Sequence, residues 1–205
     1  MDIFKILDSL DIIGFLNKLQ LKRFFSLGAY YVLPLGLFLI TLIFPEGDWY
    51  SLLGSTAQIG LLVILFLKPL SVIAKRREIT YFLQFRRQMG VAVFWLALFH
   101  GVGFIVLYDI WNTTEFFDFS SHYTYGAGAL LGLIVLALTS NDIAVRYLKR
   151  NWKRVQMLAY PVLFLVFLHS SIAGGELANF FVVSVAFLGA KYWEWRVTQS
   201  RHGNI

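Results

Sequence analysis

Two histidines lie deep inside long apolar runs of this sequence and are the residues best suited to carry chemistry. His100 lies within MGVAVFWLALFHGVGFIVLY (Met89–Tyr108), and His169 lies within NWKRVQMLAYPVLFLVFLHSSI (Asn151–Ile172). An imidazole in such surroundings is costly unless a partner binds it. Neutral imidazole is a good axial ligand for haem iron, and facing histidines on two helices can hold the macrocycle between them. The pair is therefore a candidate bis-histidine haem-iron site.

The depth of each histidine in a membrane can be estimated from the cations that precede it. His100 follows Arg87 by 13 residues, and His169 follows Arg154 by 15 residues. At a rise of 1.5 Å per residue these separations are about 20 Å and about 22 Å. Both imidazoles are therefore expected in the outer half of a hydrocarbon core about 30 Å thick.

The residues around the pair suit a flat, apolar cofactor. Gly101 and Gly103 leave room for a ring beside the backbone, and the hydroxyls of Ser170 and Ser171 are able to donate to propionates. Five aromatic residues are expected to line the pocket: Phe94, Trp95, Phe99, Phe164 and Phe167. The alternative is that each histidine only hydrogen-bonds to another helix.

Other kinds of site are disfavoured by the sequence. There is no cysteine, which excludes thiolate-bound zinc, iron–sulfur clusters and a cysteine nucleophile. Serine nucleophile elbows, HExxH and phosphate loops are absent as well, so no catalytic residue is predicted. The remaining histidines, His122 in a polar loop and His202 in a cationic tail, are expected to be solvated. Because there is no cysteine, any redox chemistry would depend on a bound cofactor.

Composition and charge indicate an all-α, polytopic membrane protein. Of the 205 residues 58% are hydrophobic and only 15% are charged, well below the charged fraction of soluble domains. The 18 lysines and arginines form four groups, separated by connections that contain acidic residues and no cation: Lys5–Arg23, Lys68–Arg87, Arg146–Arg154 and Lys191–Arg201. The positive-inside rule then predicts a six-transmembrane-helix bundle with both termini in the cytoplasm. Cations distributed in this way do not favour binding to nucleic acid.

The predicted order of segments begins with an amphipathic helix at the cytoplasmic interface, over residues 1–23 within a segment 1–26. A six-helix transmembrane haem-binding domain is predicted over 27–195, and a cytoplasmic tail over 196–205. The spans are expected at about 27–44, 52–73, 89–108, 123–139, 151–172 and 178–195. Gly128 and Gly132 permit a close helix contact, Pro161 is expected to interrupt its helix, and Lys68 is expected to snorkel to the interface.

Four segments between about residues 61 and 172 resemble the ferric reductase-like transmembrane domain superfamily. They are ILFLKPLSVI, FRRQMGVAVFWLALFH, YGAGALLGLIVLALTSN and NWKRVQMLAYPVLFLVFLH. Within the superfamily, the chain is most similar to the haem-binding membrane subunit, MsrQ or YedZ, of the bacterial periplasmic methionine sulfoxide reductase system.

The resemblance implies a membrane cytochrome b-type electron-transfer subunit of the bacterial inner membrane. It implies that His100 and His169 bind haem b, and it makes quinone or FMN a further candidate cofactor. The implied donor is quinol or a cytoplasmic flavin reductase. The implied acceptor is a periplasmic oxidoreductase that repairs oxidised methionine.

The sequence departs from the superfamily pattern at the start of the fifth span. The family usually has a histidine there, in a WxRLH-like sequence, where this chain reads WKRVQ and has Gln156. Glutamine does not replace imidazole well on haem iron, so one haem is predicted rather than two. Two other functions are open from the sequence. One is a haem-free transporter or assembly subunit, and the other is a reductase of ferric or cupric ions.

Overall fold

The computed structural model describes residues 21–45, 47–107, 114–174 and 177–202. Throughout these residues the regular structure is helical, without a strand, so the all-α prediction is confirmed. The predicted amphipathic helix falls almost wholly on residues 1–20, outside the described residues. Seven helices are described: α1 (Leu21–Ile43), α2 (Trp49–Ala74), α3 (Arg77–Leu107), α4 (His122–Leu138), α5 (Asp142–Leu148), α6 (Arg150–Gly174) and α7 (Leu177–His202).

Four of these helices, α1, α2, α3 and α6, are long and apolar enough to cross a membrane. Helices α4 and α5 form a pair bent by 89°, which gives up to five spans when the pair is counted as one. The chain is therefore a multi-span membrane protein by helix length and composition. The count of six stays a prediction, because α4 has only 17 residues and α7 carries charged residues in its C-terminal half.

The core lies where α2, α3, α4 and α6 meet. It contains ten buried apolar residues: Ala57, Leu61, Ile64, Leu65, Val93, Leu133, Leu136, Val162, Leu163 and Phe167. Within it, α3 packs most extensively against α2, and α6 against α4. Many large apolar side chains point outward instead, as expected of helices surrounded by lipid.

Close packing of α4 against α6 depends on Gly132 of the predicted glycine pair. A Cβ at Gly132 would overlap Val162 Cγ2, and a Cβ at Gly128 would touch Leu165 Cδ1 at 3.5 Å. The predicted close contact is therefore present.

Helix α6 is interrupted just before Pro161, as the sequence predicts. Its two parts, Arg150–Gln156 and Ala159–Gly174, are joined by a turn. Proline lacks an N–H, and its ring would collide with the carbonyl of Met157 in a regular helix. That carbonyl instead accepts from the backbone N–H of Tyr160 at 3.1 Å.

A charged cluster joins the C-terminal parts of α2 and α7. The Glu194 carboxylate accepts from Lys191 Nζ at 2.8 Å and lies 3.2 Å from Lys68 Nζ. The ammonium of Lys191 also lies 5.5 Å from the centre of the Tyr160 ring. Lys68 remains more than half exposed. Its snorkelling to the interface stays a prediction, and its carboxylate partner was not foreseen.

Candidate functional site

His100, in the C-terminal part of α3, is held by the first turn of α2. Its Nδ1 lies 2.8 Å from the backbone carbonyl oxygen of Tyr50. A carbonyl can only accept, so Nδ1 carries the hydrogen, and the neutral ring keeps an unprotonated Nε2. Gly54 makes this approach feasible, because a Cβ there would lie 2.7 Å from Nδ1 and Cε1 of the ring.

His169 repeats this arrangement in α6. Its Nδ1 lies 2.8 Å from the backbone carbonyl oxygen of His122, the first residue of α4. A Cβ at Gly126 would lie 2.8 Å from Nδ1 of the ring. Metal-binding histidines usually donate their second ring N–H to a carbonyl or carboxylate in this way, which fixes the tautomer and aims the other nitrogen at the metal.

In both cases the glycine follows the accepting residue by four positions. In a helix the carbonyl of residue i already accepts from the N–H of residue i+4. A carbonyl has a second lone pair, and the missing side chain at i+4 leaves that lone pair open to the imidazole. No role was predicted for Tyr50, Gly54 or Gly126 from the sequence. The signal that could have identified them is a glycine four positions after a residue in the first turn of a helix, as in YSLLG and HYTYG.

The two candidate ligands lie close together. Their ring centroids are 6.2 Å apart, and the ring planes make an angle of 77°. The predicted similarity in depth therefore corresponds to a direct juxtaposition of the rings. His122 lies near them as well, with its ring centroid 5.4 Å from that of His169. The expectation of a solvated His122 was wrong, because its ring is half-buried. The side chain of His202 lies outside what the structure describes.

The three histidines line one cavity of about 510 Å³ between α2, α3, α4 and α6. This volume falls in the range of small-molecule and cofactor sites. Small and aliphatic side chains form most of the wall, among them Ala57, Leu61, Val93, Ala97, Ala127, Leu130, Leu133 and Val166. Two of the lining residues form a polar contact, in which Gln58 Nε2 donates to Ser170 Oγ at 3.1 Å.

The predicted aromatic wall was wrong. None of the five aromatic residues named from the sequence lines the cavity, whereas Phe104 does. Phe164 is 53% exposed and Phe167 is buried in the core. Phe104 follows His100 by four residues, which places both on one helix face, and the ring centroids are 5.0 Å apart.

The small residues beside the histidines divide between two roles. Gly101 and Ser170 line the cavity, as expected. Gly103 instead accommodates the ring of Tyr50, which occupies the space of its absent side chain. Ser171 is buried at 3% exposure but is not part of the cavity wall.

Two polar residues organise the turn that leads into α4. The Asp118 carboxylate accepts from the backbone N–H and the hydroxyl of Ser120, each at 2.8 Å. These hydrogen bonds hold the pKa of Asp118 below its ordinary value. The carbonyl of Asp118 accepts from Thr124 Oγ1 at 2.7 Å. The first turn of α4, which supplies the carbonyl of His122, is thus held by the turn that precedes the helix.

Near the N-terminal end of α6, Gln156 takes part in a contact between helices. Its Nε2 donates to Thr139 Oγ1 at 3.0 Å, and Trp152 Nε1 donates to the Thr139 carbonyl at 2.9 Å. In the described part of the chain, no group of three or more His, Cys, Asp or Glu residues is placed to hold a metal ion. A two-histidine site suits a porphyrin, which supplies the other iron ligands itself.

A family model described as ferric reductase like transmembrane component matches residues 53–167. The match includes His100 and ends two residues before His169.

Several curated proteins named protein-methionine-sulfoxide reductase heme-binding subunit MsrQ are similar to this chain. The protein from Xanthomonas oryzae pv. oryzae (strain MAFF 311018) is 35% identical over 116 residues, which cover 54% of this chain and 53% of the relative. That from Xanthomonas axonopodis pv. citri is 34% identical over 112 residues, covering 53% and 50%. That from Brucella anthropi is 32% identical over 132 residues, covering 62% and 55%. The chain thus matches about half the length of these relatives, and no solved structure matches it.

Proposed function

Because the chain belongs to the ferric reductase like transmembrane component family, we propose that it is a membrane cytochrome b-type electron-transfer subunit with one haem b between His100 and His169. The observation that carries this proposal is the pair of Nδ1-to-carbonyl hydrogen bonds, each 2.8 Å long. They leave Nε2 of both rings available for iron, in the manner of metal-binding histidines.

The spacing of the two imidazoles suits one metal ion held by both rings. Two metal–imidazole bonds of about 2 Å, each extended by about 1 Å from nitrogen to ring centre, would place the ring centres about 6 Å apart. The observed separation is 6.2 Å. The cavity of about 510 Å³ extends beside both rings and is mainly apolar, as suits a porphyrin face.

When bound, haem iron would supply reversible one-electron chemistry. The residues of this chain would set the conditions for it. The carbonyls of Tyr50 and His122 orient the imidazoles and make them better ligands. The apolar wall excludes water and lowers the local dielectric, which influences the reduction potential. Gln58 and Ser170 would offer the carboxylate groups of a cofactor polar partners within the cavity.

The contacts of Gln156 support a single haem. Its amide is bound to Thr139, and glutamine replaces imidazole poorly on haem iron. We therefore assign no second haem to the inner half of the bundle.

The names of the relatives, heme-binding subunits of a protein-methionine-sulfoxide reductase, support a proposal about the electron acceptor. We propose that this chain likewise passes electrons to an oxidoreductase on the outer face, in the periplasm. Quinol or a flavoprotein would supply the electrons, with quinone or FMN as a second cofactor. The corresponding topology is six spans over residues 27–195 in the bacterial inner membrane, an interfacial segment over 1–26 and a cytoplasmic tail over 196–205.

The test is a reduced-minus-oxidised absorbance spectrum of the full chain purified from haem-replete cells. Wild type should contain about one haem b per chain, whereas His100→Ala and His169→Ala should each lose most of it. Gln156→Ala serves as the control and should retain its haem, because it alters the same helix away from the cavity. A colourless wild-type protein would contradict the proposal and favour a transporter or assembly subunit. Full haem content in both histidine variants would show that other residues bind the iron.

A further inference from the structure

The cavity that contains the three histidines has one exposed side. Among its described lining residues only four are exposed: Ser51 and Ser55 in α2, and Ala173 and Gly174 at the end of α6. The others are buried or half-buried. A residue that lines a cavity and is also exposed lies where the cavity meets its surroundings. These four residues therefore mark an opening, which we call the α2–α6 opening.

The register of α2 and α6 explains why their seam is open at this point. Helix α2 begins where α6 ends, and Gln58 Nε2 donates to Ser170 Oγ at 3.1 Å to join them. Ser55 lies three residues before Gln58, and Ala173 lies three residues after Ser170. About one helical turn beyond the hydrogen bond, the two helices thus present only small side chains to each other. The Gln58–Ser170 contact closes the seam, and the small residues beyond it leave the seam open.

The other seams around the cavity are packed more closely. Helix α3 packs extensively against α2, α4 against α6, and α3 against α4, whereas α2 and α6 have the least extensive contact of the four neighbouring pairs. The ring of Tyr50 fills the hollow at Gly103 between α2 and α3, and Val162 fills the hollow at Gly132 between α4 and α6. A large ligand would have to separate packed side chains to pass through these seams, but not to pass through the α2–α6 opening.

The polar groups of the cavity are distributed as an amphipathic ligand entering from this side requires. Hydroxyl and amide side chains line it on the two helices that form the opening: Ser51, Ser55, Gln58 and Ser170. The walls formed by α3 and α4 are apolar apart from the histidines and Tyr123. Haem has an apolar ring and two carboxylates on one edge, and a carboxylate is costly to bury without polar partners. The polar side chains of α2 and α6 therefore suit the carboxylates, and the inner walls suit the ring.

We propose that the folded bundle takes up haem through the α2–α6 opening. This inference rests on the proposed haem site between His100 and His169 and adds the route by which the cofactor reaches it. A route through one seam lets the α2–α3 and α4–α6 pairs stay packed while haem enters. A plug at the opening should then slow both uptake and release of haem. It should leave the affinity unchanged, because the affinity depends only on the free and bound states.

The experiment places a removable plug at the opening of the full, haem-depleted chain. Because the chain has no cysteine, Ser55→Cys introduces a single thiol in place of a hydroxyl. Benzyl methanethiosulfonate then attaches a neutral benzyl group through a disulfide bond, which a phosphine reductant cleaves. The matched control is Thr56→Cys, since Thr56 is also exposed but does not line the cavity and points about 100° away around the helix. Stopped-flow absorbance measures the rate of haem uptake, and an equilibrium titration measures the affinity.

Labelled Ser55→Cys should take up haem at least about tenfold more slowly than the unlabelled variant, because the label must move aside before haem can pass. Its affinity should stay within about threefold, and labelled Thr56→Cys should keep its uptake rate within about twofold. Cleavage of the label should restore the original rate. An unchanged rate in labelled Ser55→Cys, or equal slowing in the labelled control, would overturn the proposal. A loss of affinity without slower uptake would place Ser55 inside the site instead of at its entrance, and would overturn it as well.

A second thiol tests the other side of the opening. Ala173→Cys lies on α6 and should show the same reversible slowing when it is labelled, and a normal rate there would contradict an opening between the two helices. Mass spectrometry verifies that each variant is fully labelled. The route and the haem site fail in different ways. If wild type and the unlabelled variants bind no haem, the proposed haem site is wrong and the route falls with it; if they bind haem and the label has no effect, only the route is wrong.

Discussion

Adding a single methyl group at Gly126 should weaken haem binding without touching either candidate ligand. In Gly126→Ala the new Cβ would lie 2.8 Å from His169 Nδ1 and 3.0 Å from Cε1. Favourable contacts begin at about 3.5 Å, so the ring must withdraw by about 0.7 Å. The hydrogen bond to the His122 carbonyl, now 2.8 Å, would then lengthen to about 3.5 Å, beyond its effective range.

Losing the hydrogen bond that orients a metal-binding histidine typically costs 10- to 100-fold in metal affinity. We expect a loss of this size in Gly126→Ala. We expect the same in Gly54→Ala, where the added Cβ would lie 2.7 Å from the His100 ring. The assay is a titration of haem into the haem-depleted protein, followed by absorbance, together with the haem content of the protein as purified.

Gly128→Ala is the matched control, since it lies on the same helix and its Cβ would meet Leu165 at an ordinary 3.5 Å. It should keep haem affinity within about threefold of wild type. Circular dichroism and size-exclusion chromatography would verify that all three variants are folded. If both Gly54→Ala and Gly126→Ala were folded and bound haem as tightly as wild type, the carbonyls would not be orienting the ligands, and the reasoning would be refuted.

Three further predictions concern the surroundings of the site. His122→Phe should keep its haem in the absorbance assay, because the backbone carbonyl that orients the neighbouring imidazole survives the substitution; loss of haem would instead give the side chain of His122 a direct role. Gly132→Ala should lower the free energy of unfolding by about 1–3 kcal/mol, since the new methyl group would overlap Val162; unfolding in SDS titrations measures this, and an unchanged midpoint would contradict it. The folded pKa of Asp118 is depressed by hydrogen bonds from Ser120, so its support of the turn is present above the unfolded pKa of about 3.9 and is lost as the pH falls through the folded value. The protection factors of the amides at the start of α4, measured by hydrogen exchange, should therefore fall in acid in wild type but not in Asp118→Asn.

The candidate ligands could be found from the sequence because their positions depend on local features. Cations mark the inner surface, and helical rise converts a number of residues into depth. The depth estimate for each histidine uses only residues of its own helix. The break before Pro161 and the close packing at Gly132 are equally local, since one follows from the missing N–H and the other from the missing side chain.

The surroundings of the ligands could not be predicted in the same way, because they depend on which helix faces are in contact. Phe164 lies five residues before His169 and therefore about 140° away around a straight helix, so it points out of the site. His122 was assigned to solvent because a polar loop precedes it. The turn organised by Asp118 instead places it at the start of α4 and beside the cavity.

The site is best understood as two equivalent helix pairs that meet at the cavity. In α2–α3 and in α4–α6, one helix contributes a carbonyl from its first turn and a glycine four residues later, and the other contributes the histidine. These are also the helix pairs that pack most extensively. A strong contact within each pair therefore fixes one imidazole against one carbonyl. The separation between the two imidazoles then depends on how the pairs pack against each other, through core residues such as Leu61 and Leu133. Substitutions within a pair should change the affinity of a single ligand, whereas substitutions in this core should change the distance between the two ligands.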